Sequence, residues 1–123
     1  MNYAKNNVAI FKYANQLISG GWCQHTMATD AKGRRVAPYR SDARNFCLVG
    51  AIRRSVDDLS LQHKNDAEDT INNILKVLPL LEPLVEADPN SFLLPTFNDA
   101  PTTNKSMVRF ILNAAIELCK KSS

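Results

Sequence analysis

Two glycines at positions 20 and 21 separate two different sequence periodicities, and this junction constrains the fold more than any other feature. In residues 3–19 the apolar side chains recur every three or four positions, which predicts a helix with one buried face. From Trp22 onward the period is two, which predicts a β-strand. Because glycine adopts the left-handed conformation of a helix C-cap at little steric cost, we expect Gly20 or Gly21 to end the helix in that way.

The segment TDAKGRR, residues 29–35, carries the signal of a tight hairpin turn. Asp30 suits the first position of a type I turn, and Gly33 suits the left-handed residue that closes such a loop. The returning strand is predicted over residues 34–38. Since a two-stranded ribbon is marginally stable alone, the ribbon of residues 22–38 must lie on helices, and Trp22 is its predicted anchor.

A short buried helix is predicted next, with Ser41 as its N-cap and Arg53 and Arg54 near its negative end. Gly50 lies in the middle of this helix, where it lowers helix propensity by roughly 1 kcal/mol relative to alanine. A glycine at this position is explained if another backbone packs closely against it.

The second half of the chain reads as two helical regions joined by a loop. A long helix is predicted to end near Leu78, where prolines begin, and a shorter one to end at Glu86. Residues 88–101 are rich in Pro, Asn and Asp and are predicted to form an ordered loop. Thr102 or Thr103 is the predicted cap of a last amphipathic helix, whose inward residues include Phe110 and Leu118.

Length and composition indicate one globular domain over residues 1–123, with 45% hydrophobic and 22% charged residues. No apolar run approaches the roughly 20 residues that cross a bilayer, so no membrane partner is expected. The first residues lack the uninterrupted apolar segment of an export signal. Cys23, Cys47 and Cys119 are odd in number and without framework spacing, which predicts reduced thiols in a cytoplasmic protein.

The charges are unevenly distributed along the chain. Residues 30–54 contain seven bases and two acids, whereas residues 57–88 contain eight acids and two bases. This segregation predicts a molecule with a basic side and an acidic side.

Four short motifs, in a fixed order, resemble a family of small bacterial and bacteriophage proteins classed as a domain of unknown function. The motifs are G-W-x-Q, A-x-D-x-x-G-x-x-V, D-A-x-x-[WF]-C-x-x-G-A and [WF]-N-D-x-P, and they span residues 21–101. This chain has Phe46 where the family often has tryptophan. The resemblance implies a compact, mainly helical domain with a hairpin near the first helix, and it transfers no activity.

Eight positions of this signature are predicted to serve the structure: Trp22, Gln24, Asp30, Gly33, Cys47, Gly50, Asn98 and Asp99. An Asn-Asp-x-Pro stretch ahead of a helix is typical of side chains that satisfy free backbone groups, and Gln24 is expected to reach across the hairpin in the same role. The alternative is that Asn98 and Asp99 bind a ligand or act in catalysis.

Catalysis by Cys47 with His25 as its base is an alternative hypothesis, because nearby arginines acidify a thiol. The apolar neighbours of Cys47 instead predict a buried, inert thiol. A metal site is a further hypothesis, because Cys23 and His25 have the spacing of a pair of ligands. No second pair with ligand spacing is present among the candidate ligands, which are Cys23, His25, Cys47, His63 and Cys119. We therefore predict no catalytic residue, no metal and no cofactor.

The sequence predicts a non-enzymatic binding or regulatory protein whose basic hairpin face meets an acidic protein surface. The residues of this face are Lys32, Arg34, Arg35, Arg40, Arg44, Arg53 and Arg54. A nucleic-acid-binding accessory protein that uses the same face is the second hypothesis, and a small enzyme built on Cys47, His25 and Asp99 is the third. Self-association through the acidic segment is also open, and a phage origin would make the partner a host component.

Overall fold

The structure, a computed structural model, describes residues 3–61, 64–76 and 93–122. Within these ranges there are five helices and one two-stranded antiparallel sheet. In chain order the elements are α1 (Tyr3–Gly20), β1 (Ala28–Thr29), β2 (Asn45–Phe46), α2 (Leu48–Asp58), α3 (Lys64–Lys76), α4 (Leu93–Asp99) and α5 (Lys105–Ser122). The predicted class, a mainly α bundle of four to five helices with a small β-hairpin, is confirmed.

Helix α1 is the centre of the bundle and packs mainly against α5 and α2. Its residues Ile10, Phe11, Ala14 and Ile18 are fully buried, as the three-to-four spacing predicts. In the ranges that the structure covers, no helix has the length and apolar character needed to cross a membrane.

The end of α1 differs from the prediction. Helix α1 ends at Gly20, but neither Gly20 nor Gly21 has a positive φ, so the expected left-handed cap is wrong. Gly21 is needed for space, because a Cβ there would lie 2.7 Å from the carbonyl oxygen of Arg44 and closer still to Asn45. The glycine therefore allows the segment that follows Arg44 to pack against the end of α1.

The predicted turn is present at residues 30–34. The Gly33 backbone N–H donates to the Asp30 carbonyl at 3.0 Å, and Gly33 has the left-handed φ of 80° that its position requires. The predicted strands from Trp22 onward and over residues 34–38 are wrong, because within residues 22–38 only Ala28–Thr29 is strand and residues 24–27 bend. The return arm pairs with β1 only through a single bridge between Thr29 and Arg35. The strand that pairs with β1 in the sheet is instead β2, with Ala28 opposite Phe46.

The start of the second helix was also predicted wrongly. Helix α2 begins at Leu48 and not after Ser41, and its N-cap is Cys47, whose Sγ accepts a hydrogen bond from the Gly50 N–H at 3.3 Å. The residues before Cys47 form β2, because their backbone groups pair with β1 and with the segment at Gly21. Tertiary pairing has thus overridden the local helix signal.

Three further predictions are corrected in the C-terminal part. Residues 93–99 of the predicted loop form the short helix α4. Helix α5 is capped by Asn104, whose Oδ1 accepts from the Met107 N–H at 3.0 Å, and not by a threonine. Phe110 and Leu118, predicted to point inward, are exposed. Two predicted helix termini, near Leu78 and at Glu86, lie outside the described residues.

Candidate functional site

Asn98, on α4, joins the ribbon to the helices through its side-chain amide. Its Oδ1 accepts hydrogen bonds from the Trp22 Nε1–H at 2.8 Å and from the Leu48 N–H at 3.0 Å. Its Nδ2 donates to the Cys23 carbonyl at 3.1 Å and to Asp99 Oδ1 at 3.0 Å. Asn98 is fully buried, so every polar atom of its amide is satisfied inside the protein.

The other contacts of α4 with the ribbon complete this network. Gln24 Nε2 donates to the carbonyls of Asn98 and Ala100 at 3.0 and 3.1 Å, so it reaches α4 and does not cross the hairpin as predicted. The His25 N–H donates to Asp99 Oδ1 at 2.8 Å. We call the four residues Trp22, Gln24, Asn98 and Asp99 the lock, because their hydrogen bonds hold residues 22–25 against α4.

The Trp22 indole packs against the hydrophobic core and donates its only N–H to Asn98 Oδ1. A tryptophan buries a large apolar surface, and its N–H needs a partner once it leaves water. Trp22 is therefore an anchor of the ribbon, as its place after the glycines predicts.

The beginning of α2 packs tightly against the ribbon. A Cβ at Gly50 would lie 2.8 Å from the carbonyl carbon of Met27 and even closer to its oxygen. That same oxygen accepts from the Cys47 N–H at 3.0 Å, so the two backbones are fixed in contact. The predicted close backbone packing at Gly50 is confirmed.

Asp30 organises the tip of the turn. Its carboxylate accepts from the backbone N–H groups of Lys32 and Arg34, both at 2.9 Å, and from Arg34 Nε at 2.7 Å. The Arg34 N–H is the main cause that lowers the pKa of the Asp30 carboxyl; desolvation opposes it, and the Arg34 side chain and the Lys32 N–H add to it. The tip thus has a fixed backbone and not a freely moving one.

Four of the seven predicted basic residues form ion pairs within the chain, at N–O distances of 2.7 to 3.1 Å: Arg34 with Asp30, Arg40 with Asp42, Arg53 with Glu68 and Arg54 with Asp58. Arg44 donates to the carbonyls of Ser41 and Ala43. The side chains of Lys32 and Arg35 are exposed and have no polar partner in the residues that the structure describes.

Arg53 and Arg54 are half-buried, and each pairs with a carboxylate of the same chain. Arg53 and Arg54 pair with carboxylates of the acidic segment, so the basic and acidic segments are partly joined inside one chain. Arg54 also donates to the Pro38 carbonyl at 2.8 Å and lies 5.9 Å from the centre of the Phe46 ring. These contacts fix the chain between the turn and β2.

A cleft of about 400 Å³ opens beside the lock. Met27, Val49 and Pro95 form its apolar walls. Its polar lining includes His25, Cys47, Arg53 and Asp99. Cys47, His25 and Asp99, the three residues of the hypothetical small enzyme, therefore line one cleft.

Their geometry does not make a catalytic group. No hydrogen bond joins His25 to Cys47 within the described ranges; His25 Nδ1 lies 3.9 Å from Asp99 Oδ2, and the Cys47 thiol caps α2. Burial raises the pKa of the Cys47 thiol, which disfavours the thiolate that a nucleophile needs. Burial likewise raises the pKa of Cys23 to about 11.

No group of three His, Cys, Asp or Glu side chains able to hold a metal occurs in the described part of the chain, and His63 lies outside it.

The sequence did not predict which residues form the apolar walls of the cleft. The period of two places His25 and Met27 on one side of a strand, but no local signal links them to Val49 or Pro95.

Comparison with known proteins gives a family and no activity. The model of one family, described as a family of unknown function, matches residues 4–118. Neither a curated protein nor a solved structure matches the chain.

Proposed function

Because the chain belongs to the Family of unknown function DUF6197, which supplies no activity, we propose a function from the geometry. The protein is a non-enzymatic binding protein that presents a rigid cationic tip to an acidic surface of a protein partner. The cationic tip consists of Lys32, Arg35 and Arg44, which are the predicted basic residues without a carboxylate partner among the described residues.

The observation that carries this proposal is the arrangement around Asp30. Its three hydrogen bonds fix the backbone of the turn, while Lys32 and Arg35 stay exposed in water. A binding loop that is already ordered loses less conformational entropy when it binds. Charges held on such a loop favour association with a surface of opposite sign.

Arg44 lies beside the same strand as Arg35. Thr29 bridges to Arg35 on one side and accepts a hydrogen bond from the Arg44 N–H at 2.8 Å on the other. The cationic tip therefore draws on both flanks of β1. It is smaller than the predicted seven-residue face, because the other four bases are neutralised within the chain.

Exposed apolar side chains in the same half of the chain favour a protein as the partner. Met27 is 38% exposed and Tyr39 is 51% exposed. Arg53 lines both the cleft that contains Met27 and a second depression that contains Tyr39, so these side chains belong to neighbouring surfaces. Methionine and aromatic residues are enriched at the centres of protein interfaces.

Removing the three charges of the tip is expected to weaken partner binding by at least about tenfold. Wild type and the variant Lys32→Ala/Arg35→Ala/Arg44→Ala are each used to capture proteins from nuclease-treated extracts of the source cells. The control variant Lys12→Ala/Arg109→Ala/Lys121→Ala removes the same charge from exposed positions on α1 and α5. We expect wild type and control to enrich a common partner, whose affinity for the tip variant is at least about tenfold weaker by calorimetry.

Two outcomes contradict the proposal. If the tip variant recovers the same partner with equal affinity, the tip is not the binding surface. If wild type instead binds a double-stranded DNA or RNA probe with a steep loss at rising salt, the nucleic-acid hypothesis replaces it. Three phosphate contacts would give a slope of log K against log salt of about −2.7.

A further inference from the structure

We infer that the cleft beside the lock binds a small organic cation, in which an ammonium or guanidinium group is joined to a compact apolar body. This inference concerns the cleft and not the charges of the cationic tip; Met27 belongs to both proposed surfaces, but the inference does not depend on the proposed function. It follows from the charge, the walls and the rigidity of the cleft.

Asp99 provides the charge. Its Oδ1 accepts from the His25 N–H at 2.8 Å and from Asn98 Nδ2 at 3.0 Å, which fixes the carboxylate in place. In the described residues its Oδ2 has only His25 Nδ1 nearby, at 3.9 Å, beyond hydrogen-bond range. The Asp99 side chain is 34% exposed, so this oxygen is partly desolvated and retains acceptor capacity for a bound donor.

Arg53, the basic residue of the cleft, offsets this charge only in part. Its Nε donates to Oε1 of the buried Glu68 at 3.1 Å. Beyond the effect of burial, the Asp99 carboxylate raises the pKa of the Cys47 thiol in the cleft more than the Arg53 guanidinium lowers it. One Arg53 amino group also lies 3.9 Å from the sulfur of Met27. The carboxylate of Asp99 is thus the stronger of the two charges at Cys47, which favours cations over anions in the cleft.

The walls and the volume limit the size of the ligand. Met27, Val49 and Pro95 supply apolar contacts, and about 400 Å³ lies near the lower end of the range for small-molecule sites. An apolar body that covers these walls removes water from the carboxylate, which strengthens its attraction for the cation. A hydrated metal ion or a bare ammonium ion would leave the walls uncovered.

The cleft is preformed. His25 has a φ of 70°, a conformation that costs free energy for a residue other than glycine, and the hydrogen bond from its N–H to Asp99 holds it there. Asn98 at the base is fully buried and fully hydrogen-bonded. The backbone at His25, the Asn98 amide and the Asp99 carboxylate are therefore held in place before a ligand binds.

The test is an NMR titration of the wild-type protein with four probes. 2-Phenylethylamine and 2-phenylethylguanidine carry the cation on a compact apolar body, 2-phenylethanol is a neutral analogue and phenylacetate is an anion. We expect saturable shifts of the Met27 and Val49 methyl signals with the two cations. We expect at least about tenfold weaker binding of the alcohol and of phenylacetate, because they cannot form the charge-assisted hydrogen bond.

The variant Asp99→Asn keeps an acceptor for the His25 N–H but loses the charge, so its affinity for both cations should fall about tenfold or more. Asp57→Asn is the matched control, because Asp57 is exposed and lines the neighbouring depression and not the cleft. If Asp99→Asn does not fold, the four-probe series on the wild-type protein decides alone.

Equal binding of the cations and the alcohol, or shifts confined to residues outside the cleft, would overturn the inference. A peptide Gly-Gly-Lys-Gly-Gly serves as a further arm. If it binds more tightly than either free cation, the site is one for a protein side chain, and the assignment to a small molecule is wrong.

Discussion

The substitution Asn98→Ala is expected to destabilise the protein by about 3 to 5 kcal/mol, which is a large part of the free energy of unfolding of a domain of this size. It removes the acceptor of the Trp22 and Leu48 N–H groups and the donor to the Cys23 carbonyl, all at a fully buried position. Each buried group left without a partner costs about 1 to 3 kcal/mol. Chemical denaturation of the variant and the wild type measures this difference.

Asn113→Ala is the matched control for that prediction. Asn113 also takes part in a side-chain hydrogen bond, from Asn15 Nδ2 at 3.0 Å, but it is exposed on α5. Because water replaces the lost partner there, the expected change is within about 0.5 kcal/mol. Equal effects of the two substitutions would show that Asn98 does not hold the ribbon.

Gly50→Ala is expected to destabilise the protein by about 3 kcal/mol, although alanine is the better helix former by roughly 1 kcal/mol. The new methyl group would overlap the Met27 carbonyl, which belongs to the backbone and cannot rotate away. Either β1 or the first turn of α2 has to move, and the hydrogen bond between the Cys47 N–H and Met27 is lost.

Gly20→Ala makes the same chemical change where space is open. Gly20 is the last residue of α1 and has no positive φ, and no neighbouring atom of the described residues lies within 4 Å of the place that the new methyl group would take. We expect this variant to be neutral or more stable by about 0.5 to 1 kcal/mol, since alanine reduces the entropy of the unfolded chain. The contrast is measured by thermal unfolding of the two variants, and a stable Gly50→Ala protein would contradict the close packing.

The features that the sequence predicted correctly are those with a local chemical signature. Asp30 and Gly33 have the spacing of a tight turn, and the structure has the turn with the left-handed glycine. Gly50 breaks the pattern of a good helix, and the reason is the backbone of Met27. Trp22 is the largest side chain in a ribbon that needs support, and it packs on the core.

The features that the sequence did not predict depend on pairing between distant segments. Residues 45 and 46 have no strand signal of their own and become β2 because β1 lies beside them. Cys47 replaces Ser41 as the cap of α2 for the same reason. The lock was also hidden, because Asn98 is 76 residues from Trp22 and a capping role ahead of the last helix explained it equally well.

The sequence predicted a basic binding surface, but it assigned more residues to that surface than the proposed cationic tip contains. Counting charges along the chain gives seven bases, but it does not reveal that Glu68 and Asp58 of the acidic segment neutralise two of them. The i,i+4 pair of Arg34 with Asp30 was visible in the sequence and marks the turn as a rigid element. The charges that remain define the cationic tip.

The amide of Asn98 seats the ribbon on the helices through the Trp22 indole. This hydrogen bond can be tested by NMR through the rate at which the Trp22 Nε1–H exchanges with solvent. If the hydrogen bond to Asn98 Oδ1 is present, the indole proton should exchange about a hundredfold or more slowly than that of a tryptophan in an unstructured peptide. Exchange at the rate of the unstructured peptide would show that Asn98 does not hold the indole.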